Sequence, residues 1–168
     1  APRVNRRRGK AVKKLPKLSL AVDAATHLVL AATASTGAGG DQPFLEDLAF
    51  HAWRRSDVVT AVVADAGYDS EDNLRLLRLD MGLRAAIPPK AGRPTTKPPT
   101  EPQRRRMLGL FRRGSVRAVY GQRWQAETVN SMIKRNLGSA LRARTAVRRR
   151  HELLLRVLTH NIMLLAEG

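Results

Sequence analysis

Cysteine is absent from the 168 residues, which excludes disulfides, thiolate zinc sites and cysteine nucleophiles in one step. Long apolar runs are missing as well. No segment approaches the roughly 20 residues that a bilayer demands, and the basic amino terminus carries no apolar signal core. The expectation is a soluble, intracellular chain with no membrane partner. Apolar residues make up 43% of the sequence, enough for the core of about one domain. The first residue is Ala1 rather than Met, which predicts a processed chain or a fragment.

Acid is the scarcest commodity at the ends of the chain. Residues 1–20 carry eight bases and no acid, residues 90–150 seventeen bases and two acids, and residues 21–89 five bases and ten acids. The net charge of +17 is therefore segregated into an acidic centre with strongly basic flanks, the pattern of a polyanion-binding surface beside a separate chemical centre. Of the 31 bases, 24 are Arg, whose planar fork grips phosphate bidentately where Lys offers a point charge.

Alternation in KLSLAVD, Lys17 to Asp23, predicts a strand with Leu18, Leu20 and Val22 on one side, and THLVLAATAS, Thr26 to Ser35, a second strand joined through Asp23, Ala24 and Ala25 as a hairpin. The Gly-rich STGAGGDQP stretch lacks the Lys and Ser/Thr of a phosphate loop and reads as a turn. Asp41 or Gln42 then lies near the cap of a helix from Pro43 to about Arg55. VVTAVVAD, Val58 to Asp65, is a β-branched run suited to burial on both faces of a sheet. Ser70 is expected to cap a helix through Leu79, and LRAAIPP from Leu83 is another short strand. Six prolines between Pro88 and Pro102 predict a loop over 88–103. A long helix is expected from Val116 to Leu137, stopped at Gly138. A last helix, from about Arg148 to Ala166, would turn Leu153, Leu154, Val157, Leu158, Ile162 and Leu165 to the core. The domain plan is a basic arm over 1–16 and one α/β domain over 17–168.

Chemistry concentrates at two places. On the long helix, Tyr120, Arg123, Glu127 and Lys134 fall within roughly 60° of one another, while Ala126, Val129, Met132 and Ile133 form the apolar side. A carboxylate between Arg123 and Lys134 would be ionised and open to a metal; the same spacing also describes a solvated face laced by ion pairs. Asp65 stands at the carboxyl end of a strand, the edge where open α/β sheets keep their sites, although an aspartate there can equally cap a turn. Two such acids beside Arg-rich surfaces could hold divalent metal over a phosphodiester.

VVADAGYDS (Val62 to Ser70) and YGQRWQAETVNSMIK (Tyr120 to Lys134) resemble the second and third catalytic blocks of insertion-sequence DDE transposases, and the Tyr-x2-Arg-x3-Glu-x6-Lys spacing resembles the signature of their YREK branch. KLSLAVD and the closing HNIMLL stretch share the likeness. The resemblance implies an RNase H-like fold, a mixed sheet flanked by helices, and a transposase that cleaves and joins strands of double-stranded DNA at transposon ends and target with two Mg2+ or Mn2+ ions. It implies Asp65 and Glu127 as catalytic, metal-holding acids. Tyr120, Arg123 and Lys134 correspond to contacts to the DNA end, with a homodimer in the synaptic complex, in the bacterial cytoplasm on nucleoid DNA. The family's first acid usually opens an Asp-Ser-Thr-like element on a strand preceding the LxLAVD segment. None precedes Lys17, so the expectation is a chain that begins after that acid and lacks the central first strand. Asp23 ends a strand but is followed by Ala24 and Ala25, and matches a turn.

His27, His51, His151 and His160 show no metal-ligand spacing. Trp124 beside the polar stripe is expected to pack, with stacking on a base as the alternative. Arg104 to Arg106 with Arg112 and Arg113, and the run from Arg142 to Arg150, are expected to face phosphates without reading sequence. The competing functions are a non-catalytic DNA-binding remnant and a basic RNA- or ribosome-associated protein.

Overall fold

A hairpin opens the structure. In the computed structural model, which describes residues 16–36, 40–56, 58–90 and 98–167, β1 (Pro16–Val22) pairs antiparallel with β2 (Val29–Thr36), with a bulge between Ala21 and Val22. The predicted arm lies outside the described residues up to position 15. The connection is longer than the three residues expected: Asp23 holds it, accepting from the amides of Ala25 and Thr26 and from the Thr26 hydroxyl. The Thr26 hydroxyl, then the two amides, holds the Asp23 carboxyl below its ordinary range. Asp23 thus serves as a turn residue.

Alternation along the hairpin gives it two apolar faces. Leu18, Leu20, Val22, Val29 and Ala32 pack with Val129, Ile133 and Val157 of two later helices. Ala21, Leu30 and Ala31 pack on the opposite side against Leu48 and Ala52 of α1 (Leu45–Trp53). A 3-10 turn, Gln42–Phe44, with Pro43 inside it, leads into α1. Asp41 makes no cap there; its carboxylate pairs with Lys17 of β1.

The second part of the fold is built on β3 (Ala61–Val63) and β4 (Arg84–Ala86), paired parallel. β3 is shorter than its sequence run and only partly buried, not covered on both faces as expected. Ser70 caps α2 (Glu71–Arg75) by accepting from the Asn73 amide at 3.1 Å, as predicted, and the helix continues as a π turn through Asp80. Leu74, Leu77, Leu83, Ala85 and Ile87 bury against Leu45 and Ala49 of α1 and Met107 of α3 (Pro102–Arg112). α1 therefore joins the two cores, giving one side to the hairpin and another to β4 and α3. Helix α3 corrects the sequence reading. The proline-rich segment ends at Glu101, and Pro102 begins a helix, as proline at a first helical position does.

The expected long helix is broken into α4 (Arg117–Tyr120), a 3-10 turn over Gly121–Arg123, and α5 (Trp124–Leu137). It stops at Gly138, whose φ of 85° few other residues adopt. α6 (Ala146–Glu167) follows. Asn161 locks it to the hairpin, accepting from the Val29 amide and donating to the Val29 carbonyl, both at 2.9 Å. Beside it the buried His160 ring meets the carbonyl of His27, the one non-glycine residue among those described with left-handed backbone, φ 63°.

The architecture is mixed α/β, with two two-stranded sheets rather than one continuous sheet among the described residues. No described strand pairs with the outer edge of β1 or of β3. No helix among the described residues is long and apolar enough to cross a membrane.

Candidate functional site

Ala64 continues the β3 ladder with an amide bond to the Ala86 carbonyl, and the chain then leaves the sheet at its carboxyl edge. Asp65 is the first residue off that edge, extended and heading the 3-10 turn Ala66–Tyr68, whose backbone it begins by accepting from the Tyr68 amide at 2.9 Å. Its side chain does not cap the turn. The carboxylate points outward, 63% exposed, to Arg123.

Arg123 is the junction of the site. Its Nη1 donates to Asp65 Oδ1 at 3.1 Å and to Glu127 Oε1 one helical turn along α5. Glu127, 64% exposed, lies in the first turn of α5, where the helix's amide end favours an anion. The hydrogen bond to Glu127, ahead of the charges of Asp65 and Glu127, holds the Arg123 guanidinium more firmly protonated than usual. The same guanidinium lies 6.0 Å from the centre of the Tyr120 ring, at the outer limit of a cation–π contact. Tyr120 in turn packs edge-on against Phe111 of α3 at 5.2 Å.

Four of the five sequence-predicted residues, Asp65, Tyr120, Arg123 and Glu127, are thus brought together. The break before α5 does not scatter them, because a 3-10 turn preserves the three-residue neighbour relation between Tyr120 and Arg123. Lys134 stands apart. Seven residues beyond Glu127, it is about 10 Å further along the helix, exposed, and lines a separate cleft of about 510 Å³ with Pro16, Leu18, Asn130 and Arg149. Among the described residues, no cluster of three or more Asp, Glu or His side chains is placed to hold a metal.

Residues that the sequence reading did not single out complete the surroundings. Tyr68 is the nearest. Burial raises its hydroxyl pKa, a hydrogen bond with Ser19 of β1 offsets part of the rise, and the charges of Asp41 and Asp65 add to it. The hydroxyl is therefore a neutral hydrogen-bonding group that ties Asp65's turn to the hairpin. Gly67 in that turn faces Asp41: a Cβ there would lie 3.1 Å from Asp41 Oδ2, too near for most side chains. Asp69 is buried at 2% exposure. It accepts from Arg104 Nη2 at 2.8 Å and from the Lys90 amide at 2.9 Å, while Glu71 accepts from the amides of Gln103 and Arg104 at the start of α3. The ADAGYDS block is thus half site and half clamp. Its visible signal is a second acid inside the block, Asp69, with Glu71 and Asp72 directly after it.

Other expectations are corrected. Arg104, expected to face phosphate, turns inward to Asp69, and Arg149 donates to the Ala143 carbonyl; Arg105, Arg106, Arg112, Arg113, Arg142, Arg144, Arg148 and Arg150 are exposed. Trp124 is 53% exposed, which overturns packing and leaves the alternative of stacking on a base open. Its position at the first residue of α5 puts it beyond the helix's packed face.

The family model for the transposase DDE domain matches residues 3–162. The chain belongs to this family. No curated protein and no solved structure gave a match. Membership makes the protein part of a family of DNA-transposing enzymes that act on DNA and generally use divalent metal ions. The donor chemistry of this DDE domain fits such an ion in part: Asp65 and Glu127 are outward-facing carboxylates that meet at one nitrogen of Arg123, and carboxylate oxygens are the ligands that magnesium takes.

Proposed function

We propose that this DDE domain cleaves and joins DNA strands at transposon ends, with Asp65 and Glu127 as metal-holding catalytic acids. The observation that carries the reading is the meeting of both carboxylates on Arg123 Nη1. Two acids from distant segments are held at the carboxyl edge of a parallel pair and at a helix start, beside a cation that phosphate could take over. Magnesium takes one or two protein carboxylates and fills its remaining sites with water and phosphate oxygens, so these two side chains would hold it. When bound, the ion supplies an activated water or hydroxyl and a counter-charge for the leaving oxygen.

The protein's own groups do the rest. Arg123 offsets repulsion between the acids and exchanges a carboxylate for a phosphate when DNA arrives. Tyr120 backs the guanidinium, and Lys134 holds the phosphate chain further along α5. The Tyr120, Arg123, Glu127 and Lys134 spacing supports assignment to the YREK branch. The edges of β1 and β3 that no described strand pairs with are compatible with an RNase H-like sheet. The protein works on double-stranded DNA of the bacterial nucleoid, as a homodimer that brings ends together. A second reading, DNA binding without catalysis, draws on the meeting of two acids rather than three among the described residues.

The test is strand cleavage of a duplex bearing the transposon end, with magnesium titrated in. Cleavage that needs the metal and falls at least a hundredfold in both Asp65→Asn and Glu127→Gln is expected. Salt-sensitive binding with no cleavage at any magnesium concentration overturns the catalytic reading and leaves the second.

A further inference from the structure

The core takes hold of α5 only from Val129 onward. Before that point the helix offers an exposed Trp124 and an exposed Glu127, and Arg123, the residue at its cap, supplies no side-chain bond to the free amides. A helix start with neither cap nor packing is the least stable part of the helix. Among the described residues, two side-chain hydrogen bonds tie this start to other elements: Arg123 to Asp65 at 3.1 Å and, on another side of the helix, Gln125 to His27 at 2.7 Å.

His27 is unusual in its backbone. Its φ of 63° lies in the left-handed region, where a side chain crowds the following carbonyl and glycine sits without penalty. The conformation is enforced from three directions. The His27 amide donates to the Asp23 carbonyl at 2.9 Å, the Asp23 amide donates to the Leu28 carbonyl at 2.9 Å, and the His27 carbonyl accepts from Nε2 of the buried His160 on α6 at 3.2 Å. The loop thus presents the His27 ring to α5, where its Nε2 donates to Gln125 Oε1. Glycine would relieve the strain but has nothing to reach α5 with, and strain of this kind persists where the side chain has work to do.

We propose that His27 is a positioning residue of the site: through Gln125 it fixes the first turn of α5, and with it the place of Glu127 opposite Asp65. Glu127 lies two residues beyond Gln125, about 160° around the helix, so the bond to His27 holds the turn from behind while the carboxylate faces out. The inference rests on the catalytic reading of Glu127 and deepens it. In that reading Arg123 exchanges a carboxylate for a phosphate when DNA arrives, which releases its tie to Asp65. The half-buried bond between His27 and Gln125 is then the one that still locates Glu127 relative to the rest of the fold. His27 acts only through Gln125 and touches no reacting atom.

His27→Gly tests it, because glycine keeps the left-handed turn and removes only the ring; the melting midpoint should stay within a few degrees of wild type. Without DNA or metal, amide hydrogen exchange at the start of α5 should become about tenfold faster, with the end of the helix near Gly138 unchanged. In cleavage of a transposon-end duplex, the magnesium concentration for half-maximal cleavage should rise about tenfold and the maximal rate should fall about tenfold. Gln125→Ala should do the same, and the double variant should be no worse than either single one, since both remove one contact. Unchanged exchange at the start of α5 overturns the proposal. So does faster exchange with a wild-type magnesium dependence and rate, or a double variant whose losses multiply. A wild-type chain that cleaves nothing overturns the catalytic reading instead, and the exchange measurement, which needs no cleavage, then decides by itself whether His27 anchors α5.

Discussion

The carboxylates of Asp65 and Glu127 share one guanidinium nitrogen of Arg123. All three groups are substantially exposed, with Arg123 at 30% and the acids above 60%, so the ion pairs themselves are worth no more than about 1 kcal/mol. Arg123→Ala should therefore leave the thermal midpoint within a few degrees of wild type. If Arg123 holds the cleavage site's geometry, the same change should lower metal-dependent cleavage by about a hundredfold or more. A melting curve and a cleavage assay on one preparation check both halves. A large loss of stability with unchanged cleavage would make Arg123 a structural residue only.

Asn161 is expected to matter more to stability than any residue of the site. Its amide group satisfies both the N–H and the C=O of Val29, which is 6% exposed. Asn161→Ala leaves two backbone groups short of partners, at about 1–3 kcal/mol for each that water cannot reach. Thr159→Ala, two residues away, removes a hydroxyl that bonds only to its own helix at Leu155 and should be nearly neutral. Chemical denaturation of the two variants checks the contrast.

These cases mark what sequence alone could deliver. The grouping of Tyr120, Arg123 and Glu127, the Ser70 cap and the Gly138 stop were legible because each rests on spacing within a few residues or on local backbone chemistry. The clamp of Asn161 on Val29 was not, because it joins opposite ends of the chain and HNIMLL reads simply as an apolar helix. Arg104 was hidden in a run of three arginines that local rules treat alike; only the fold distinguishes the one facing Asp69. α3 was hidden because its Pro102 start was counted with the preceding prolines. The inward-facing side of α6 was overestimated: Leu154, Leu158, Ile162 and Leu165 are exposed, because periodicity reports apolarity and cannot report how much sheet is available to cover it.

The buried Asp69 makes the difference between neighbouring arginines measurable. Arg104→Ala strands a carboxylate whose remaining partner among the described residues is the Lys90 amide, a loss of about 2–4 kcal/mol given the partial exposure of Arg104. Arg105→Ala on the exposed side should fall within about 0.5 kcal/mol of wild type. Equal effects of the two substitutions on the urea midpoint would show that the clamp contributes nothing.

Acid should loosen the connection between α5 and α6 early. Glu152 accepts from the Ala143 and Arg142 amides and from Arg156, and these bonds, the Ala143 amide first, hold its carboxyl below the ordinary glutamate range. A depressed folded-state pKa stabilises above the unfolded-state value, and that contribution is lost as pH falls through the folded-state value. Wild type should lose stability relative to Glu152→Gln as pH drops from neutral into that acidic range. The gap between the two variants' melting temperatures should be widest near neutral pH and narrow in acid. A gap independent of pH would mean that the Glu152 charge is not what caps the connection.

Lys134 offers a test of how DNA runs along α5. It is exposed, about 10 Å beyond Glu127, and it lines its own cleft away from the acids. A lysine that only meets phosphate weakens binding to all sequences alike, and its removal lowers the slope of log affinity against log salt by about one. Lys134→Ala should show that change on transposon-end and random duplexes equally, with thermal stability unaltered. Arg104→Lys should leave the slope unchanged, since the side chain at 104 is committed to Asp69. A slope unaffected by Lys134→Ala would place the DNA path elsewhere, along the exposed arginines of α3 rather than down the face of α5.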